Sequence, residues 1–368
     1  MTALAIAAGG GGDAVTAAVL AEKLPDLGVS AIMSYSWDRL LIDPVPGPRS
    51  RADFHGLIDH GTVAEVPQTA GLRVGQSTLP RLARHIAQPL LLMDIQDGVV
   101  GFAAQIVSAA VAFGADEVVV IDVGGDILAE GHEGGLRSPL ADSVALAAAV
   151  RSDLPATVLV AGIGLDGELS CADLQLRLEI LGAEQEAVLE PADVGAFEGI
   201  WSWHPSEANG LVAAAANGWR GDVETQRGSI VQLADAATYV YRVAADAVAS
   251  ASLAELVAST TTLGQIEDLL RERRGYSDID VERDKLANRF ASHPPMPDVL
   301  SLIDRYAAEA AGRGIDALTI RRVIELAGAT DLATTAALRE SLALRRPDEF
   351  RPPLYLVRAV GTVDYKPT

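Results

Sequence analysis

The sequence predicts an α/β fold: a Rossmann-like, three-layer, open and mostly parallel sheet over residues 1–290, with a helical C-terminal appendage over residues 291–368. Short apolar runs alternate with helical stretches, and each run ends in glycine and aspartate. Aromatic residues make up only 5% of the chain while Ala and Val abound, so helices can approach a sheet closely. With 368 residues, the chain exceeds the roughly 250–300 at which one core stops growing, which favours a large domain plus a smaller one.

The first unit is a strand over residues 4–8, then Gly9-Gly10-Gly11-Gly12-Asp13, then a helix over 14–23 that Pro25 ends. Such a glycine-rich turn at a helix N-terminus is expected to welcome a phosphate or carboxylate. Gly9, Gly11 and Ala14 match a dinucleotide pattern, but the second strand, over 29–33, ends at Ser34 rather than at an acidic residue. A P-loop is excluded, because no Gly-Lys-Ser/Thr follows. The next loop, SYSWDRLLIDPVPGPRSR over 34–51, is stiffened by prolines. It reads as a surface connection or as a ligand wall in which Trp37 stacks on a ring and Arg39 pairs with an anion.

A short strand at 62–66, a helix at 79–87 and a strand at 89–93 follow. Asp94 stands at the end of that last strand. Asp97 precedes the helical run 99–113, where it fits a cap.

The most informative stretch is 118–143, VVVIDVGGDILAEGHEGGLRSPLADS. Four β-branched residues run into Asp122, Gly124-Gly125 frees the backbone, and a polar loop carries Asp126, Glu133 and Arg137 to a helix start at Ser138-Pro139. Loops of about 15 residues are uncommon in compact domains and are usually functional when they persist. After that helix, over 139–151, a strand at 157–161 leads into Gly162-Ile163-Gly164-Leu165-Asp166, and Ser170 caps a helix over 171–181. In an open parallel sheet all strand C-termini share one edge, where ligands bind. Asp13, Asp94, Asp122, Asp126 and Asp166 are therefore expected to converge.

From Pro191 the pattern becomes tryptophan-rich. His204 there reads as packing, before a helix at 207–217. A strand at 230–233, a helix near 239–250 and short elements at 252–257 and 263–274 complete the first domain, and helices are expected at 297–312, 316–328 and 331–344.

The set GGGGDAVTA, SWDRLLIDPVPGPR, IDVGGDILAEGHEGGLRSPLADS and AGIGLDGEL resembles the family called domain of unknown function 1152, over about residues 1–290. The resemblance implies a Gly/Asp-rich α/β fold and carries over no catalytic residue.

The formal charge of −21, without a Lys/Arg-rich run, argues against nucleic acid and membrane surfaces as partners. A single cysteine, Cys171, and a start without a basic n-region lead to the expectation of a cytoplasmic protein. The Ala-rich tail suggests a homodimer. The expected function is that of a metabolic enzyme acting on a nucleotide, nucleoside or phosphorylated metabolite, by group transfer or hydrolysis. Asp122, Asp126, Asp94 and Arg39 are the candidate catalytic residues. Gly9–Gly12, Asp13, Trp37, Gly124, Gly125, Glu133, Arg137, Gly164 and Asp166 are the candidate cofactor- or ligand-binding ones. Mg²⁺ accompanying a nucleotide is the expected cofactor, with Asp126 and Asp97 as its ligands. Without H-E-x-x-H or paired cysteines, zinc is disfavoured. The alternative is a non-enzymatic metabolite sensor or scaffold.

Overall fold

The computed structural model describes residues 1–288 and 298–358. It is a mixed α/β fold around a nine-stranded sheet. Across that sheet lie Glu184–Val188, Tyr239–Ala244, Ala156–Ala161, Glu117–Val123, Ala3–Ala7, Ala31–Ser34, Leu90–Leu92, Val63–Glu65 and Ile58–His60. The five strands in the middle are mutually parallel, and the pairings of the two strands at each side are antiparallel.

Strand composition explains the position of the core. Alternate side chains of one strand point to opposite faces, so Leu4, Ile6, Val118 and Val120 join one apolar cluster while Ala3, Ala5, Val119 and Ile121 join another. The helices Gly98–Phe113 and Leu140–Arg151 contribute to the first cluster. Asp13–Lys23 and Glu207–Ala216 contribute to the second. Leu140–Arg151 is buried nearly all round, which is why its alanines occupy every face.

The chain builds outward from Ala3–Ala7 to Leu90–Leu92, then returns to the other side of Ala3–Ala7 with Glu117–Val123. Strand order therefore reverses between Ala3–Ala7 and Glu117–Val123, where the loops leave in opposite directions and open a crevice. Register sets what faces that crevice. Ala7 pairs with Ile121, and the Ala8 N–H donates to the Ile121 carbonyl at 2.8 Å, so Asp122 comes level with the start of the glycine turn.

Several elements differ from the sequence reading. Residues 239–250 are a strand, Tyr239–Ala244, and a short helix, Ala245–Ala249. Val240 and Val243 are buried and the aromatic, β-branched run suits a sheet. The helix expected at 79–87 is only Leu79–Leu82. Among the described residues the C-terminal part is not all-helical, because Ala317–Thr319, Phe350–Arg351 and Leu354–Leu356 are strands. They are too short to show alternation. They form a second sheet with Gly221–Glu224 and Ile230–Leu233, so elements from before 288 and after 298 share one sheet. The domain boundary expected at 290/291, and the first residue of the helix expected at 297–312, lie outside the described residues; the described helix is Val299–Gly312.

Candidate functional site

A cleft of about 380 Å³ lies over the strand-order reversal. The turn Gly9–Gly12, Asp13, Trp37, Arg39, Asp126, Arg137, Asp142, Asp166 and Glu168 line it, with Asp278, Lys285 and Arg321 from later in the chain.

Its most acidic part is built from three loops. Carboxylate oxygens of Asp13, Asp122 and Asp142 lie within 4.8 Å of one another, and so do those of Asp126, Asp166 and Glu168. Asp122 does not itself line the cleft, and is 1% exposed; Asp13 and Asp142, which line it, are 6% and 3% exposed. Burying a carboxylate without donors is costly. Here Asp122 Oδ1, Asp142 Oδ1 and Asp166 Oδ2 have no hydrogen-bond partner.

The electrostatics follow from this crowding. Burial, and then the charges of Asp126, Asp13 and Asp166, hold the Asp122 carboxyl well above the usual range. Burial and Asp142, Glu168 and Asp166 do the same to Asp126; burial, Asp122 and Asp13 do it to Asp142. Asp166 is pushed up to about 7 by burial and Glu168. Asp13 is pushed to about 6 by burial, against a pull downward from Asn209, Gly9 and, more weakly, Arg39. A multivalent cation in either group would relieve the carboxylates of that group, and oxygen donors suit the hard cations Mg²⁺ and Ca²⁺.

The surrounding residues hold the carboxylates in place. The Gly9 N–H and the Asn209 amide each donate to Asp13 at 2.9 Å, and Asn209 in turn accepts from Thr16 at 2.5 Å. A Cβ on Gly12 would come within 2.5 Å of the Ser206 side chain, so that glycine permits the packing of Glu207–Ala216 on the turn. The Gly125 N–H donates to Asp122 Oδ2 at 2.8 Å. Gly124, at φ +128°, leaves room for Asp166, whose Oδ2 would be 2.5 Å from a Cβ there. The Gly164 N–H donates to the Gly124 carbonyl at 2.7 Å and fastens the two turns together.

Other expected residues have different positions. Arg137 lines the cleft but its guanidinium bonds the Gly167 carbonyl, and its N–H donates to Glu168 at 2.5 Å. Trp37 lines the cleft with its indole N–H on Glu282 at 2.9 Å. Glu133 closes its own loop by accepting the Glu130 and Gly131 N–H groups and does not line the cleft. Asp94 and Asp97 stand apart from the carboxylate groups and the cleft. Asp94 instead accepts the Arg51 N–H at 2.8 Å and the Gln96 N–H at 3.1 Å. Their strand, Leu90–Leu92, is separated from the reversal by Ala31–Ser34 and Ala3–Ala7.

Asp142, Glu168, Asp278, Asn209, Lys285 and Arg321 are cleft residues that the sequence reading missed. A lone aspartate in the alanine-rich run ADSVALAAAV was the one available signal, since a charge there cannot face away from the core. Ser138, read as a helix cap, gives its hydroxyl to Glu168 at 2.6 Å, and the helix N–H of Leu140 donates to Asp278 at 2.9 Å. His204 lines the cleft and is buried, edge-on to Trp201 and Trp203. Burial and then Arg339, Arg81 and Arg39 lower it to about 3, so it is neutral. Its Nδ1 accepts the Ser206 N–H at 3.3 Å, which places the ring proton on Nε2.

Among the described residues no helix is long and apolar enough to cross a membrane. No curated protein and no solved structure matches the chain. The family model described as "Protein of unknown function (DUF1152)" matches residues 4–286, and the chain belongs to that family.

Proposed function

We propose that the chain is an enzyme acting on a small phosphorylated, nucleotide-like metabolite, by group transfer or hydrolysis assisted by a divalent cation. The observation that carries this reading is the group Asp13, Asp122 and Asp142, three buried carboxylates beside the cleft, of which Asp122 and Asp142 each have an oxygen lacking any donor. Mg²⁺ bound there would polarise a phosphoryl oxygen and neutralise developing charge. Asp126, whose carboxyl burial and its acidic neighbours hold well above the usual range, is suited to deliver a proton to a leaving group. Arg39, on the same cleft, is suited to stabilise transferred negative charge. The finer description of the fold as Rossmann-like and three-layered belongs to the same proposal, supported by the strand-order reversal and an apolar cluster on each side of the sheet.

Isothermal titration of the chelator-treated chain with MgCl2 and MnCl2 tests the reading. Saturable binding is expected, weakened about 10–100-fold or more in Asp122→Asn and Asp142→Asn, since changes around a metal already cost that much. Absence of binding, or unchanged affinity in both folded variants, overturns it. Turnover of phosphate esters separates the enzyme from a sensor that binds without reaction.

A further inference from the structure

We propose that the anionic group of the ligand is held by a cationic wall of Arg39, Lys285 and Arg321, reinforced by Arg227, and not by the glycine turn, and that an apolar or aromatic body attached to it fills the recess beyond. The assignment rests on the reading of the acidic cluster as a cation and reaction site. It adds the class of ligand: a phosphate monoester of an apolar or aromatic group.

The glycine turn is the wrong place for an anion. Its Gly9 N–H is already given to Asp13, and Asp122 and Asp142 stand beside that carboxylate. A helix N-terminus carries about half a positive charge, and here Asp13 in the first turn of the helix already occupies it.

The positive groups lie elsewhere in the cleft. Arg39, Lys285 and Arg321, with Glu207 and Glu282, line both the acidic cleft and a second recess of about 380 Å³, so they stand where the two meet, and Arg227 lines the acidic cleft. That recess continues past Leu41, Trp201, Trp203, Ile320 and Ile324. Among the described residues the side chains of Arg39 and Lys285 have no ion pair or hydrogen bond. The acids nearby are engaged: Glu282 accepts from Trp37 and Gly47 at 2.9 Å each, and Glu207 accepts from Thr319 at 2.5 Å and Gln226 at 2.9 Å. Arg321 reaches Glu207 only at 3.7 Å. Glu207 and Glu282 are the acids at this junction, and with their oxygens taken by these donors they leave Arg39 and Lys285 without a direct partner. Partial desolvation in the cleft and then Arg227 and Arg39, against Glu282, pull the otherwise exposed Lys285 down to about 8, and burial and then Arg39, against Glu207, pull Arg321 down to about 9. A dianion relieves this repulsion and finds planar guanidinium forks and an ammonium for its oxygens. On a chain of formal charge −21, so local a positive group calls for a ligand.

The test uses calorimetry on the full chain with inorganic phosphate and phenyl phosphate, with and without MgCl2. Phenyl phosphate is expected to bind more tightly than inorganic phosphate. Arg39→Gln and Lys285→Gln, both changes on exposed side chains, are each expected to weaken it about tenfold, the loss of one charge-assisted contact. Magnesium affinity should be unchanged in both. In Asp122→Asn the pattern should invert, with magnesium binding weakened about 10–100-fold or more and phenyl phosphate retained in metal-free buffer. Wild-type affinity for phenyl phosphate in both cation variants, or its absence in the wild type, overturns the cationic wall. Equal affinity for the two anions overturns the apolar body. Loss of magnesium binding alone would strike the reading of the acidic cluster and leave the wall standing.

Discussion

The Asp278 carboxylate accepts the backbone N–H of Leu140 at 2.9 Å across 138 residues of sequence. It thereby supplies the cap that Leu140–Arg151 lacks from its own flank, and brings a fourth element to the acidic edge. Its other oxygen has no partner.

That half-satisfied carboxylate should make stability depend on pH in an unusual direction. Burial, opposed by the Leu140 N–H and Arg274 and reinforced by Glu168, raises Asp278 to about 7. Between the ordinary value of 3.8 and about 7 the folded chain keeps a proton that the unfolded chain has released, so stability falls as pH rises through this window. The shift is worth on the order of 4 kcal/mol. The benefit of a charge at a helix N-terminus is about 0.3–1 kcal/mol, so burial wins. In chelator, Asp278→Asn should melt higher than the wild type at pH 8 and lose less on going from pH 6 to pH 8. Parallel melting curves would remove Asp278 from the account.

Gly124→Ala should cost about 1–3 kcal/mol, because alanine is strained at φ +128° and its Cβ would lie 2.5 Å from Asp166 Oδ2. Relief requires Asp166 to move, so divalent-cation affinity should fall as well. Gly134→Ala, where the added Cβ meets nothing within 4 Å, serves as the control and should leave both unchanged. Urea unfolding and calorimetry read the two effects separately.

The units that meet at the cleft are legible in the sequence where chemistry and local structure coincide. Residues 118–126 combine a β-branched strand, a glycine pair and two aspartates, and the structure has Asp122 grouped with Asp13 at the reversal and Asp126 grouped with Asp166 and Glu168. Asp94 has the same local signature, but its strand lies two places from the reversal, and strand order is set by packing of distant segments. Asp142 and Asp278 sit near helix starts, where an acidic residue has an ordinary explanation. Lys285 and Arg321 come from helices whose approach to the cleft depends on tertiary contacts, such as the Trp37–Glu282 hydrogen bond, that no local pattern encodes.

That contact gives a third prediction. Trp37→Phe keeps the aromatic wall but removes the N–H that reaches Glu282 from the loop after Ala31–Ser34. Glu282 keeps the Gly47 N–H at 2.9 Å, so the loss should be that of one hydrogen bond to a charged group, about 1.5–3 kcal/mol at most. Chemical denaturation measures it. A loss near zero would mean that water replaces the indole and that the loop is held by Gly47 alone.

One carboxylate of the second sheet gathers partners from the C-terminal helices. Glu224 is fully buried at the end of Gly221–Glu224, and Arg322 at 2.9 Å, Arg313 at 2.6 Å and the Tyr306 hydroxyl converge on it. Those three partners come from Val299–Gly312, its C-terminal flank and Ile320–Leu326. Glu224→Gln retains the shape and removes the charge, leaving Arg322, with its 14% exposed side chain, only Glu325 at 2.6 Å as a carboxylate partner. Breaking such a pair costs about 3–5 kcal/mol when both partners are buried; Arg313, half exposed, recovers its solvation and brings the expected loss to the lower end. Because Arg321 neighbours Arg322 on the same helix, the variant should also weaken phenyl phosphate binding while sparing magnesium. Hydrogen exchange should quicken in residues 299–356 before the parallel strands; uniform loss of protection would show that the two sheets open as one unit.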